Sequence, residues 1–226
     1  MRQLLAAALL AAGSLTALPS GASAAERMLL APAPTVDETA DGRHSAIAYF
    51  AGGCFWGVEG VFSHVKGVRS AVSGYGGGAP DQRVSYERVS SGTTGYAETV
   101  RLVYDPRQVS YGTLLRIFFS VIADPTQRDY QGPDHGTQYR SALFPQSADQ
   151  ARVAQAYLTQ LGAADLWPDP IVTTIEPVRR FQPAEAWHQD FMARNPDHPY
   201  IRQWDAPKLE ALRRLFPQDY RATPAA

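Results

Sequence analysis

The sequence predicts an α+β fold: a two-layer sandwich with a mixed sheet, a split β-α-β (ferredoxin-like) core and a wrapping C-terminal tail. Segments of strand and helix character alternate from residue 45 onward, and one pair of successive strands has no helix between them. No internal repeat breaks that order.

The run "SAIAYFAGG" opens the folded part with β-type residues and stops at Gly52-Gly53, which predicts a strand delivering Cys54 to a turn. Behind it, "CFWGVEGVFSHVKG" spaces Val58, Val61, Phe62 and Val65 at helical intervals and closes on Gly67. Cys54 therefore falls at or just before the first turn of a helix. "VRSAVSGYGGG" reads as a second strand entering a glycine-rich loop, and "ETVRLVYDP" as a third, stopped by Asp105-Pro106. The apolar period of "SYGTLLRIFFSVIAD" predicts a helix ending before Pro125. After the turn-rich "PTQRDYQGPDHGT" come a strand in "QYRSALF", a helix over roughly 148–161 and a strand in "PIVTTIEPV". The tail from Asn195 holds one short helix around Pro207 to Leu215.

Residues 1–24 carry Arg2, an apolar run from Leu4 to Ala12, and then Ala22-Ser23-Ala24, the order of a secretory signal peptide cleaved after Ala24. That run is well short of the roughly 20 residues of a membrane-spanning helix, so export to the periplasm, and not anchoring, is expected. Residues 25–44 are rich in Pro, Ala, Thr and acids and are expected to form a flexible linker, poorly ordered or draped on the domain. Residues 45–226 are then one domain, expected to act as a monomer. With 21 basic and 22 acidic side chains, the chain offers neither nucleic acid nor an anionic membrane surface a charge to bind.

One cysteine in 226 residues cannot form a disulfide within its own chain. A free cysteine is most often a small buried hydrophobe, but Cys54 stands between glycines, at a predicted helix N-terminus that would lower its pKa, with Phe55 and Trp56 able to wall a small apolar pocket. A reactive thiolate is the better reading. Candidate partners lie in two other unusual segments: Tyr86 and Glu98 in "SYERVSSGTTGYAETV", Asp134 and Tyr139 in "QGPDHGTQYRS".

With those segments in view, the chain resembles the A-type peptide-methionine sulfoxide reductases, which act on the S epimer of the sulfoxide. The resemblance rests on "GCFWG", "GYGGG", "SGTTGYAETV", "VYDP", "QGPDHGTQYRS" and "FQPAEAWHQDF", and spans about Ile47 to Leu215. It implies that Cys54 is the nucleophile, that Phe55 and Trp56 hold the substrate methyl, and that Glu98 is the acid. Tyr86 and Tyr139 would donate hydrogen bonds to the sulfoxide oxygen, and Asp134 would be a supporting acid. Tyr96, Ala123, Gln182 and Trp187 depart from the residues common at those places, which belong to the outer contacts of the pocket.

The implied chemistry suits those residue types. A sulfoxide is a poor electrophile because its oxygen would leave with full negative charge, so a proton must be delivered to it. A carboxyl desolvated among aromatics holds such a proton near neutral pH, and phenols stabilise the charge that develops. The products would be methionine and a sulfenic acid on Cys54. Many relatives resolve that acid with further cysteines near the C-terminus, and this chain has none. No cofactor is implied. Turnover would need an external thiol, from a thioredoxin-like protein, glutathione or dithiothreitol, with oxidised methionine in proteins or free methionine sulfoxide as substrate.

Two other readings compete. Cys54 paired with His135 or His188 would make a cysteine hydrolase or acyltransferase, although no signature of that chemistry is present. A secreted binding domain with aromatic platforms and a core cysteine would leave the glycines around Cys54 unexplained. Five scattered histidines, with His188 and His198 ten apart, give no metal-ligand spacing.

Overall fold

The computed structural model describes residues 28–39, 42–80, 84–177 and 180–225, so the expected signal peptide lies outside the described residues. The elements run β1 (Ala46–Gly52), α1 (Phe55–Ser63), β2 (Val68–Gly76), α2 (Tyr86–Ser90), β3 (Ala97–Tyr104) and α3 (Tyr111–Ile117). There follow β4 (Tyr130–Gln131), β5 (Asp134–His135), β6 (Ser141–Phe144), α4 (Ala148–Ala163), β7 (Thr174–Ile175), β8 (Phe181–Pro183), α5 (Phe191–Arg194) and α6 (Ala206–Leu215).

Among the described residues six strands form one mixed sheet in the order β7-β6-β1-β3-β2-β8. β3 lies between β1 and β2 and is antiparallel to both. β1 and β2 are therefore parallel, with α1 as their crossover, which is the split β-α-β unit expected from the order of segments. Alternation along β1 sends Ala46, Ala48 and Phe50 to the main core, while Ile47 is exposed and Tyr49 joins a smaller cluster with Ala51, Ala97, Ala142 and Phe144. Phe50 gathers the helical layer around it, meeting Phe62 of α1 at 4.9 Å, Phe118 at 5.3 Å and Tyr111 of α3 at 5.9 Å between ring centroids. Each such fully buried aromatic stabilises the fold by roughly 1.5–3 kcal/mol.

Several segments differ from the pattern read in the sequence. The helix from Tyr111 widens into a π-helical turn over Phe118–Ile122, closed by the Ala123 N–H on the Phe118 carbonyl at 2.9 Å. The strand expected in "QYRSALF" begins only at Ser141, because Gly136 (φ 128°) starts a 3-10 turn over Thr137–Tyr139 that turns this segment away from the sheet. β7 is two residues of an edge strand and ends before Pro177, which has no N–H to offer. The short α2, the β4-β5 hairpin and β8 had too few residues to leave a periodic signal.

Residues 28–39 are draped on the domain: the Leu29 N–H reaches the Ser120 carbonyl, Tyr157 donates to the Pro32 carbonyl, and Tyr104 donates to Glu38. At the other end α6 carries Pro207 in its first turn, and the tail beyond it returns to α1, where Tyr220 stacks on His64 and the Arg221 N–H bonds the His64 carbonyl at 2.9 Å.

Candidate active site

β1 ends at Gly52, and Gly53 turns the chain with φ 90°, a backbone that side chains rarely adopt. A Cβ there would stand 2.7 Å from Cβ of Gln131, so the glycine also lets the hairpin strand β4 close against the turn. Cys54 follows as the residue capping α1. The helix N-terminus does not lower its pKa as expected from the sequence. Crowding of the sulfur by protein, followed by the charges of Glu98, Asp205 and Asp134, holds the thiol well above its ordinary range, against a bond from the Trp56 backbone. The residue as a whole is only half-buried, although its sulfur is crowded by protein.

Glu98 projects from β3 and is 2% exposed. Its Oε2 accepts the Phe55 N–H at 2.9 Å. Burial raises the carboxyl to about 8 despite that bond, and the charges of Asp134 and Asp205 push the same way. Tyr139 ends the 3-10 turn after Gly136, and its phenol is raised by burial and then by Glu98, Tyr86, Asp134 and Cys54. Tyr86 opens α2, its N–H donating to Glu185 Oε1 at 2.9 Å, and burial followed by Glu98 raises it too. Both phenols stay neutral donors at neutral pH. Asp134, on β5, accepts the Tyr200 hydroxyl; burial raises its carboxyl and that bond opposes the rise. Cys54, Glu98, Tyr86, Tyr139 and Asp134 thus stand close enough for their charges to act on one another.

Aromatic rings wall the site. Phe55 meets Tyr75 at 5.9 Å and the edge of His188 at 4.8 Å. Trp56 stacks on Phe191 at 3.7 Å and 11°, and its Nε1 donates to His188 Nδ1 at 3.0 Å. Tyr200 and His198 stand edge-on to the same indole. His188 is fully buried, and burial lowers it to about 4, so it is neutral with its proton on Nε2.

The sequence reading gave no role to Tyr200, Phe191, Glu185 or Asp205. All four come from the last third of the chain and meet the site across separations such as the 132 residues between Trp56 and His188, which no local pattern reports. Glu185 ties β2 to α2 by accepting the Tyr75 hydroxyl at 2.8 Å on one oxygen and the Tyr86 N–H on the other. Asp205 is fully buried against Gly57 of α1, with Lys208 Nζ 4.0 Å away. Of the four departures, Tyr96 is buried and donates to the Ala79 carbonyl at 2.7 Å, Ala123 is buried after the π turn, Gln182 pairs with Tyr75 in the sheet, and Trp187 is exposed.

Comparison with known proteins decides the family. The model of the family described as peptide methionine sulfoxide reductase matches residues 46–220. The chain belongs to that family. It is 55% identical over 188 residues to the peptide methionine sulfoxide reductase MsrA 2 of Mesorhizobium japonicum, covering 83% of this chain and 95% of that one. It is 48% identical to the enzyme MsrA of Thermus thermophilus, over 75% of this chain and 94% of the relative. Among solved structures, methionine sulfoxide reductase A of Corynebacterium diphtheriae superposes with a TM-score of 0.57 at 31% identity, covering 75% of this chain and 84% of that one. Mxr1 of Saccharomyces cerevisiae in its reduced form gives 0.56 at 33%, covering 71% and 91%.

As a peptide methionine sulfoxide reductase the chain is an oxidoreductase, and acyl chemistry through a Cys-His pair has no support in its geometry. His188 spends Nδ1 on Trp56, and His135 is exposed and stacked on Tyr130 at 5.1 Å. Among the described residues no group of three or more His, Cys, Asp or Glu side chains could hold a metal ion.

Proposed function

We propose that this reductase acts on the S epimer of methionine sulfoxide, in peptides and proteins and as the free amino acid, by attack of Cys54 on the sulfoxide sulfur. One contact carries the proposal: the Phe55 N–H on Glu98 ties a carboxyl that holds a proton near neutral pH to the residue beside the thiol. At rest both groups are protonated. As the sulfoxide oxygen takes the Glu98 proton, the carboxylate left behind accepts the proton of Cys54, and the thiolate attacks sulfur. Tyr86 and Tyr139 donate to the oxygen as charge develops on it. Asp134 acts through Tyr200, whose ring stands against Trp56.

Attack joins the Cys54 sulfur to the substrate sulfur. The substrate S–O bond then breaks, and an S–O bond forms on Cys54 as that S–S bond breaks, so methionine is the reduced product and the Cys54 sulfenic acid the oxidised one. With no second cysteine in the chain, one external thiol condenses with the sulfenic acid, releasing water and leaving a mixed disulfide. A second thiol frees Cys54 and departs with the first as a disulfide. A thioredoxin-like protein, glutathione or dithiothreitol has the required chemistry, and no bound cofactor is needed. The signal-like residues 1–24 support a periplasmic site of action, tested by whether the enzyme recovered from a periplasmic fraction begins at Ala25.

Stereochemistry follows from three fixed points: oxygen at Glu98, methyl against Phe55 and Trp56, and sulfur in line with Cys54. Only one direction is then left for the rest of methionine. Turnover of each epimer with dithiothreitol tests this, with the S epimer consumed and the R epimer left. Equal consumption of both would contradict it.

A further inference from the structure

We propose that Trp187 is a recognition surface for the side chain next to the oxidised methionine in a peptide, favouring apolar or aromatic neighbours; this rests on reading the adjoining pocket as the sulfoxide site. At 49% exposure Trp187 is the most exposed large apolar side chain among the described residues. It is followed by Leu30 and Ile47, which lie on the N-terminal segment and on β1, away from the pocket. Single exposed apolar residues of that kind need no explanation.

Trp187 differs from them in its place and its rigidity. Its ring lies over His188 with centroids 3.4 Å apart and meets Tyr86 edge-on at 5.5 Å and 82°. His188 in turn meets Phe55, the residue after Cys54, edge-on at 4.8 Å. The exposed Trp187 ring is therefore linked through one other ring to the residue beside the thiol. Its backbone is clamped, because the Arg194 guanidinium donates to the carbonyls of Ala186, Trp187 and Gln189 at 3.4, 2.9 and 2.5 Å. Glu185, two residues before Trp187, is fixed by Tyr75 and Tyr86 as described above.

A pocket that admits one methionine side chain leaves the rest of the peptide outside. The neighbouring side chains then fall on the rim, and the rim beside Tyr86 is this indole. A flat apolar ring already held in place loses little freedom on contact, which is what makes tryptophan an effective anchor. The matching occupant is an apolar or aromatic side chain flanking the sulfoxide.

The test measures kcat and KM with dithiothreitol for the wild type, Trp187→Ala and Trp187→Tyr. Three substrates are used: N-acetylmethionine S-sulfoxide, and two pentapeptides with the sulfoxide central, flanked by leucines or by glycines. The wild type should prefer the leucine peptide, and Trp187→Ala should reduce that preference in kcat/KM about tenfold, through KM, with Trp187→Tyr restoring most of it. Absence of a wild-type preference, an unchanged ratio, or an equal loss on all three substrates through kcat would overturn the proposal, the last by making Trp187 only a prop for His188 and Tyr86. Failure of the wild type on all three would overturn the reading of the pocket itself, and the proposal with it.

Discussion

The Phe55 N–H donates to Glu98 Oε2 at 2.9 Å, so the first residue of α1 holds a carboxyl that projects from the middle strand of the split β-α-β unit. The acid and the nucleophile of the proposed reaction are thereby fixed to each other through one backbone group. Their geometry depends on the register of β3 against β2, where Glu98 faces Tyr75.

Cys54→Ser should fold and lose reduction of the sulfoxide. The chain has no other sulfur nucleophile of this kind, and an alkoxide is far harder to generate at neutral pH than a thiolate. Substantial methionine production by the serine variant would defeat the mechanism.

Glu98→Gln keeps the shape and can still accept the Phe55 N–H, but has no acidic proton. The sulfoxide step should slow on the order of a hundredfold or more, with Cys54 still open to alkylation. In the wild type that step should fall as pH rises through about 8, where Glu98 loses its proton, and the glutamine variant should lack this limb. Stability gives a second readout. The carboxyl is raised from 4.5 to about 8 on folding, so its stabilising contribution is full below pH 4.5 and is lost as pH rises towards 8. Urea titrations across that window should show a flatter dependence for Glu98→Gln.

Trp56→Phe retains a ring to stack on Phe191 but removes the N–H that His188 Nδ1 accepts. A buried acceptor left without its donor costs about 1–3 kcal/mol, so the variant should unfold at lower urea. It should also show a raised KM for the sulfoxide, since one side of the proposed methyl pocket loses its anchor. An unchanged midpoint would mean that the indole is held by stacking alone.

Gly57→Ala would place a Cβ 2.2 Å from Asp205 Oδ1 on the buried turn before α6. The turn must move, costing roughly 1–3 kcal/mol. Tyr200, in the same segment, should shift from Trp56, and activity should fall with stability. Gly162→Ala in α4 is the matched control: its Cβ meets nothing nearer than 4.0 Å, and helix propensity predicts a gain of roughly 0.4–1 kcal/mol.

Much of this architecture was legible in the sequence. β1, α1, β2 and β3 each carried a clear apolar period and a glycine or proline stop, and together they place Cys54 and Glu98. The residues that complete the pocket were not legible, because His188, Phe191 and Tyr200 belong to short or irregular segments whose partners lie more than a hundred residues away. The direction of the Cys54 shift was misread for a physical reason. A helix N-terminus favours a thiolate only modestly, whereas crowding of the sulfur and nearby carboxylates act against it together.

The central claim is that one thiol takes the oxygen and an external thiol returns it to the reduced state. Intact-mass measurement after stoichiometric methionine S-sulfoxide, with and without a sulfenic-acid trap such as dimedone, tests it most directly. One methionine per chain should form, with one oxygen or one trap adduct on Cys54, and turnover should resume when dithiothreitol is added. A covalent dimer formed quantitatively through Cys54 would contradict the account, because a second copy of the chain would then be the resolving partner.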